Sequence, residues 1–213
     1  MTSPVSLRQD AQRNRERILE AARETFREQG LDAPLEEIAR RAEVGIATLY
    51  RRFPTRDALI EDVFVETIAS FRDAAEEALR VDDAWTAFST FVEQMCERQA
   101  ENWGLKDLLC RRFPESKLME DARKRSRVTV QRLLERAQAE GVVRDDVTPE
   151  DIEFVFWSNS RIIEATREVA PNAWRRNVGL MLDAFRAQNA TPLPERPLTP
   201  GQLHRSMANF GRG

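Results

Sequence analysis

The chain has 213 residues, enough for one large domain or two small ones, and its 41% hydrophobic and 32% charged content fits a helix-rich globular protein. No apolar run approaches the ~18 residues that span a bilayer. The N-terminus, MTSPVSLRQDAQRNRER, lacks the apolar core of a secretory signal, so the expected location is the cytoplasm. The net charge of -3, taken alone, argues against a nucleic-acid-binding protein.

The distribution of charge reverses that last point. Residues 40–56 hold Arg40, Arg41, Arg51, Arg52 and Arg56 against Glu43 alone. Residues 8–17 add Arg8, Arg13, Arg15 and Arg17 against Asp10 and Glu16. The rest of the chain is therefore acidic. A basic end on an acidic body is the pattern of an N-terminal nucleic-acid module.

Ala, Leu, Glu and Arg outweigh Val, Ile and Tyr, and no strand-like alternation occurs, so the expected fold is all-α with about nine helices. Ile18, Ala22 and Phe26 step by four, and Gly30 then stops a first helix over about 10–29. Pro34, at a first helical position, opens a second with Leu35, Ile38, Ala39 and Ala42 on one side. A short helix covers about 45–52 and ends before Pro54. Thr55 caps a long one over about 56–80. Trp85, Phe88, Phe91, Val92 and Met95 define a helix at about 83–101, and a short one follows at about 104–110. Both cysteines, Cys96 and Cys110, fall in these helical contexts and read as reduced core thiols. Leu118, Ala122, Thr129, Leu133 and Ala137 run along a helix at about 116–139, which Gly141 ends. Thr148-Pro149-Glu150-Asp151 starts the next: a cap hydroxyl, a proline in the first turn, and acids at the positive helix end. It runs to about 168, and a last helix covers about 172–187. Residues 188–213 hold four of the ten prolines and no periodicity, and are expected to be a flexible tail.

The stretch VGIATLYRRFPTRDAL, residues 44–59, carries the only tyrosine of the chain beside two arginines. Two short helices joined by a tight turn after a longer first helix make a helix-turn-helix. Its second helix enters the DNA major groove with its N-terminal residues toward base edges. Gly45, Ile46, Ala47 and Thr48 form a small tip that can pack on thymine methyls. Thr48 and Tyr50 offer hydroxyls to phosphate, while Arg51, Arg52 and Arg56 supply charge to phosphate or guanine. Arg40 and Arg41 read as a solvated face.

Residues 18–64, ILEAARETFREQGLDAPLEEIARRAEVGIATLYRRFPTRDALIEDVF, resemble the DNA-binding domain of the TetR/AcrR family of bacterial transcriptional regulators. The stretch DDAWTAFSTFVEQMCERQAENWGLKDLL is similar to the C-terminal domains of one branch of it. The resemblance implies an all-helical homodimer with a three-helix head, a connecting helix, and a C-terminal ligand-binding and dimerisation domain. It also implies a regulator, usually a repressor, that leaves operator DNA when a small molecule binds. By position, Thr48 and Tyr50 match phosphate contacts, and Gly45, Ile46 and Ala47 match base-reading or cap positions. Arg51, Arg52 and Arg56 match positions that are usually basic or polar. Glu43 stands where the turn usually has Gly, Gly45 where Ser or Thr commonly caps, and Arg52 where His is frequent. The corresponding domains are 1–56 for the head and 57–187 for the body, with 57–80 as the connecting helix and 188–213 as tail.

In the body, a ligand pocket is expected among Phe88, Phe91, Met95, Trp103, Leu109, Phe113, Trp157, Asn159 and Ser160, as mostly apolar walls with a few polar groups. The run Arg123-Lys124-Arg125 with Arg127 reads as a solvated helix surface, with anion binding as the alternative. The last two helices are apolar on more than one side, which calls for a partner chain. Phe154, Trp157, Arg161, Trp174, Val178, Met181 and Phe185 are the candidate dimer interface. Two-fold pairing sets two recognition helices about 34–36 Å apart, for palindromic double-stranded DNA. No phosphate loop, HExxH or metal-spaced Cys/His cluster appears, so neither a cofactor, a metal nor an enzyme is expected. A helical interaction module without DNA binding and an all-helical hydrolase are the competing readings, and activation stands beside repression.

Overall fold

The computed structural model describes residues 4–113, 115–188 and 190–210, with side chains from residue 12 to residue 207. They form ten helices: α1 (Pro4–Gln29), α2 (Leu35–Arg41), α3 (Ile46–Arg52), α4 (Arg56–Ala78), α5 (Ala84–Glu101), α6 (Trp103–Cys110), α7 (Lys117–Ala139), α8 (Pro149–Thr166), α9 (Ala173–Phe185) and α10 (Pro200–Phe210). Among the described residues the one extended pairing is an isolated bridge between Val143 and Arg186. No described helix is long and apolar enough to cross a membrane.

Short polar side chains start most of the long helices. Thr55, Asp83, Asn102 and Ser116 accept from the N–H groups of Ala58, Thr86, Leu105 and Met119 at 2.7 to 3.1 Å. Each satisfies an amide that the helix itself leaves unpaired. At α8 the carboxylate of Asp151 accepts from both the N–H and the hydroxyl of Thr148, at 2.8 and 2.9 Å. Gly30 ends α1 at φ +84, in the left-handed region that glycine enters without strain.

Three boundaries differ from the sequence reading. Helix α1 begins at Pro4, earlier than residue 10, and the side chains of Arg8 and Asp10 lie outside the described residues. Pro34 is the N-cap of α2 rather than its first residue. The segment expected to be a flexible tail carries α10. The cause is a second start signal: Thr199 and Gln202 cap each other, with Thr199 N–H to Gln202 Oε1 at 2.9 Å and Gln202 N–H to Thr199 Oγ1 at 3.3 Å. Leu203 and Met207, one turn apart, are then buried against the body.

Helix α5 runs through the centre and packs on α4, α6, α7, α8 and α9. Its Phe88, Val92 and Cys96 are accordingly fully buried. Both cysteines are free, and burial pushes the Cys110 thiol up to about 12, which leaves it unreactive. Helices α4 and α7 lie side by side, α8 packs on α9, and α1 packs on α2, α4 and α6. The α6 contact is tight because residue 104 is glycine. A Cβ there would stand 2.8 Å from Phe64 Cζ and 3.0 Å from the Phe26 carbonyl oxygen.

Candidate nucleic-acid interface and internal cavity

The α2–α3 turn is closed by backbone bonds from Glu43 N–H to Arg40 O at 3.1 Å and from Val44 N–H to Ala39 O at 3.0 Å. This geometry holds Glu43 at φ +51. A side chain there costs about 1 kcal/mol, because Cβ crowds the following carbonyl. The Glu43 carboxylate ion-pairs with Arg17 of α1. The pair is exposed, so it orients the turn more than it stabilises it. Leu49 and Phe53, four residues apart, are buried and anchor α3 to the head. Each contributes about 1.5–3 kcal/mol by leaving water. Arg15 sits over the Phe53 ring at 5.9 Å and pairs with Asp62 of α4 at 2.6 Å.

The opposite side of α3 is free. Gly45, Ile46, Ala47, Tyr50, Arg51 and Arg52 are exposed, Tyr50 by 47%, and Thr48 is half-buried. Ile46 and Tyr50, and Ala47 and Arg51, are i,i+4 pairs, so apolar tip, hydroxyl and guanidinium share one surface. Neither Arg51 nor Arg52 has an ion-pair partner among the described residues.

Arg56 is placed differently from the expectation. Its Nη1 donates to the carbonyls of Leu31 at 2.9 Å and Ala33 at 2.6 Å, so the side chain braces the α1–α2 link instead of standing free for phosphate. Arg40 and Arg41 are also engaged. Both donate to Glu37, whose carboxyl they pull down to about 2, and Arg41 reaches Glu28 as well.

A second feature lies inside the body. A cavity of about 410 Å³ opens between α4, α5, α7, α8 and α10. Of the nine residues expected to line a pocket, it collects Phe91, Met95 and Leu109. Phe88 and Phe113 are fully buried and fill the core instead. Trp103 lines a separate surface cleft, between Lys106 at 4.2 Å and Arg167 at 4.6 Å. Trp157 pairs edge-on with Phe154 at 5.5 Å. Asn159 locks α8 to α5 by donating to Gln99 at 2.9 Å and to the Cys96 carbonyl at 3.3 Å, and Ser160 is buried beside Cys110.

The sequence reading missed the cavity's polar end. Arg112, Glu120, Arg123 and Glu153 line it, and α10 adds Leu203 and Met207. The basic run on α7 held the signal. Lys124 and Arg125 are solvated as expected, but Arg123 turns inward, donating to the carbonyls of Leu108 and, at 3.0 Å, Arg111.

Of the residues assigned to a partner interface, Phe154 and Arg161 are exposed, and Trp157 and Met181 are half-buried. Leu180, on the same helix as Met181, is 59% exposed. Trp174, Val178 and Phe185 correct the expectation. They are buried in the chain's own core, where α9 meets α5 and α8, and have no surface left for a partner.

Two family profiles match the chain. Residues 18–63 match "Bacterial regulatory proteins, tetR family", and residues 83–187 match "Transcriptional regulator SbtR-like, C-terminal domain". The HTH-type transcriptional regulator YdeS of Bacillus subtilis is 27% identical over 184 residues, covering 84% of this chain and 91% of YdeS. The TetR transcriptional regulator SCO0520 of Streptomyces coelicolor is 30% identical with a TM-score of 0.54, covering 81% of this chain and 98% of that one. RolR in complex with resorcinol is 19% identical with a TM-score of 0.56, covering 88% and 98%, and shares the fold.

Proposed function

The chain belongs to the tetR family of bacterial regulatory proteins, and from that premise we propose that it is a homodimeric repressor which a small molecule releases from palindromic operator DNA. The observation that carries this reading is the free surface of α3, where Tyr50, Arg51 and Arg52 stand exposed over a buried Leu49 anchor. Hydroxyls and guanidiniums so placed hold phosphates, while Gly45, Ile46, Ala47 and Thr48 lead into the groove. The head, residues 1–56, joins through α4 to a body that runs from residue 57 and on which α10, beyond residue 187, is docked.

A second copy is supported by the exposed Phe154 and Leu180 beside the half-buried Trp157 and Met181 on adjacent helices. Two-fold pairing there sets the recognition helices about 34–36 Å apart, one turn of B-DNA. The effector site is the 410 Å³ cavity, which is within the size range of ordinary ligand pockets. A differential affinity of ~3 kcal/mol between the two head spacings weakens operator binding about a hundredfold. The place of action is the bacterial cytoplasm, where the operator is. RolR, a fold relative, holds resorcinol in its structure, which supports ligand response as the mode of control.

A gel-shift assay on a palindrome selected from random DNA tests the reading. Affinity is expected to fall steeply as salt rises, because each phosphate contact releases counterions. Absence of any selected sequence, with the folded protein at micromolar concentration, leaves a helical interaction module and sinks the repressor.

A further inference from the structure

The cavity in the body has two chemically distinct ends. Phe71, Phe91, Met95 and Ile152 form an apolar wall, which Leu203 and Met207 of α10 complete from across the opening. At the other end Arg112 ion-pairs with Glu120, and Arg127 pairs with the buried Glu150 at 2.5 Å. Arg123 and Glu153 stand between these pairs.

This polar end is incompletely satisfied within the protein. The Nε donors of Arg112 and Arg123 have no acceptor, and Oε2 of Glu153 and Oε1 of Glu120 have no donor. Buried polar groups in native proteins rarely go unpaired. Four such atoms beside one cavity mark a place where a ligand completes the bonding. The charge balance says which ligand. Burial holds the Glu153 carboxyl above the ordinary range in spite of the arginines around it, so it leans toward its neutral form. Arg112, Arg123, Lys124 and Arg127 then stand with Glu120, Asp121 and Glu150 beside Glu153, so positive charge exceeds negative wherever Glu153 holds its proton. A neutral carboxyl donates a hydrogen bond and an arginine Nε–H donates another. With the Nε–H groups of both Arg112 and Arg123 unpaired, these donors suit a carboxylate, whereas an ammonium head would bring its charge against the arginines to reach the free Glu120 Oε1.

We propose that the cavity takes an amphipathic monoanion, a carboxylic acid with an apolar body, its head between Arg112, Arg123 and Glu153 and its body enclosed under α10. The family profile for the C-terminal domain ends at residue 187, so the wall formed by α10 lies outside the matched residues. The cavity keeps its 410 Å³ with α10 docked, so the helix covers a ligand and does not fill its place. The inference rests on the effector-site reading and gives its chemistry.

The test is calorimetric titration of the full chain with decanoate, decanol and decylamine, which share one body and differ in the head. Decanoate is expected to bind at least tenfold more tightly than decanol, with decylamine weakest. Arg112→Gln and Arg123→Gln, each first shown by circular dichroism to keep the wild-type fold, should bring decanoate down to the level of decanol. The double substitution Leu203→Ser and Met207→Ser should weaken decanoate and decanol by a similar factor. Equal binding of acid and alcohol, preference for the amine, or indifference to both sets of substitutions overturns the proposal, as does no binding by any of the three. Because the titration contains no DNA, a protein that binds decanoate but no operator keeps this proposal and loses the repressor. One that binds operator and none of the probes does the reverse.

Discussion

The carboxylate of Asp107, on α6, accepts a hydrogen bond from the backbone N–H of Leu31 at 2.9 Å. Leu31 follows the glycine that ends α1, so this bond fastens the body to the head. It sits beside a second link, Arg111 to Asp32 at 3.2 Å. Helix α6 also touches α5 and α8, which border the cavity, so it is in contact with both the head and the cavity walls. Asp107→Ala leaves a buried N–H unpaired and should lower stability by about 1–3 kcal/mol in urea denaturation. Asp107→Asn keeps an accepting oxygen and should recover most of that. In gel shifts the alanine variant should still bind DNA but respond less to effector. An unchanged response would show that the α6–Leu31 bond carries no signal.

Gly104 makes the same junction tight from the other direction. Gly104→Ala gains up to about 1 kcal/mol of helix propensity. Its Cβ would meet Phe64 Cζ at 2.8 Å and the Phe26 carbonyl at 3.0 Å. The ring can shift, but the carbonyl belongs to the last turn of α1 and cannot. Overpacking of this kind costs about 1–3 kcal/mol, so a net fall in melting temperature is expected. A rise would mean that α1 and α6 have slack between them.

Tyr50 and Arg51 are exposed on the free side of α3. Tyr50→Phe removes one hydroxyl, and Arg51→Ala one cation. Each should weaken operator binding by about 1–3 kcal/mol and leave the melting temperature unchanged. In a dimer, Arg51→Ala should also flatten the salt dependence by about two phosphate contacts, one per head. A normal slope with relaxed sequence preference would move Arg51 from phosphate to a guanine edge. Arg56→Ala should behave differently and lose stability, because Leu31 and Ala33 carbonyls lose their donor.

Local rules made most of this fold legible. Caps at Thr55 and Thr148 and the four-residue steps of Ile18, Ala22 and Phe26 are properties of adjacent residues, and the sequence displays them directly. The exposed tip of α3 was legible for the same reason. The cavity was not, because Phe71, Arg112, Glu153 and Leu203 come from distant segments and meet only through packing. Phe88 and Phe113 have the chemistry of a pocket wall, yet packing made them core. Trp174 lay off the apolar stripe of its helix and so looked available to a partner. Packing of α9 on α5 and α8 instead buries it within the chain.

Helix α10 shows how composition can hide a local signal. Thr199-Pro200-Gly201-Gln202 repeats the logic of Thr148-Pro149-Glu150-Asp151, but the preceding prolines suggested an unstructured tail. Thr199→Ala should weaken α10 by about 1 kcal/mol through loss of the cap. Leu203→Asp should detach it. Hydrogen exchange is the measurement: amides of residues 203–207 should become fast while those of α5 stay protected, since α10 is a local unit at the edge of the core. Loss of protection in α5 as well would make α10 an integral part of the bundle.

Glu153 ties stability to pH with a sign opposite to that of an ordinary ion-paired acid. Its folded carboxyl is raised above 4.5, first by burial, with Arg123, Arg127 and Arg112 pulling the other way and Glu150 adding to the rise. Glu120, and His204 of α10, also border the cavity that it lines. Below 4.5 both folded and unfolded chains hold the proton, and the group costs nothing. As pH climbs from 4.5 through the raised value, the unfolded chain gives up the proton first, and stability falls. Glu153→Gln cannot ionise. Its melting temperature should therefore exceed that of the wild type at pH 8, with the gap closing as pH is lowered and gone below 4.5. Thermal unfolding of the two proteins side by side across pH 4 to 8 cancels the contribution of His204, which both retain. A gap that widens toward low pH would mean that Glu153 is held ionised by its arginines, and the positive surplus assigned to the cavity would disappear with it.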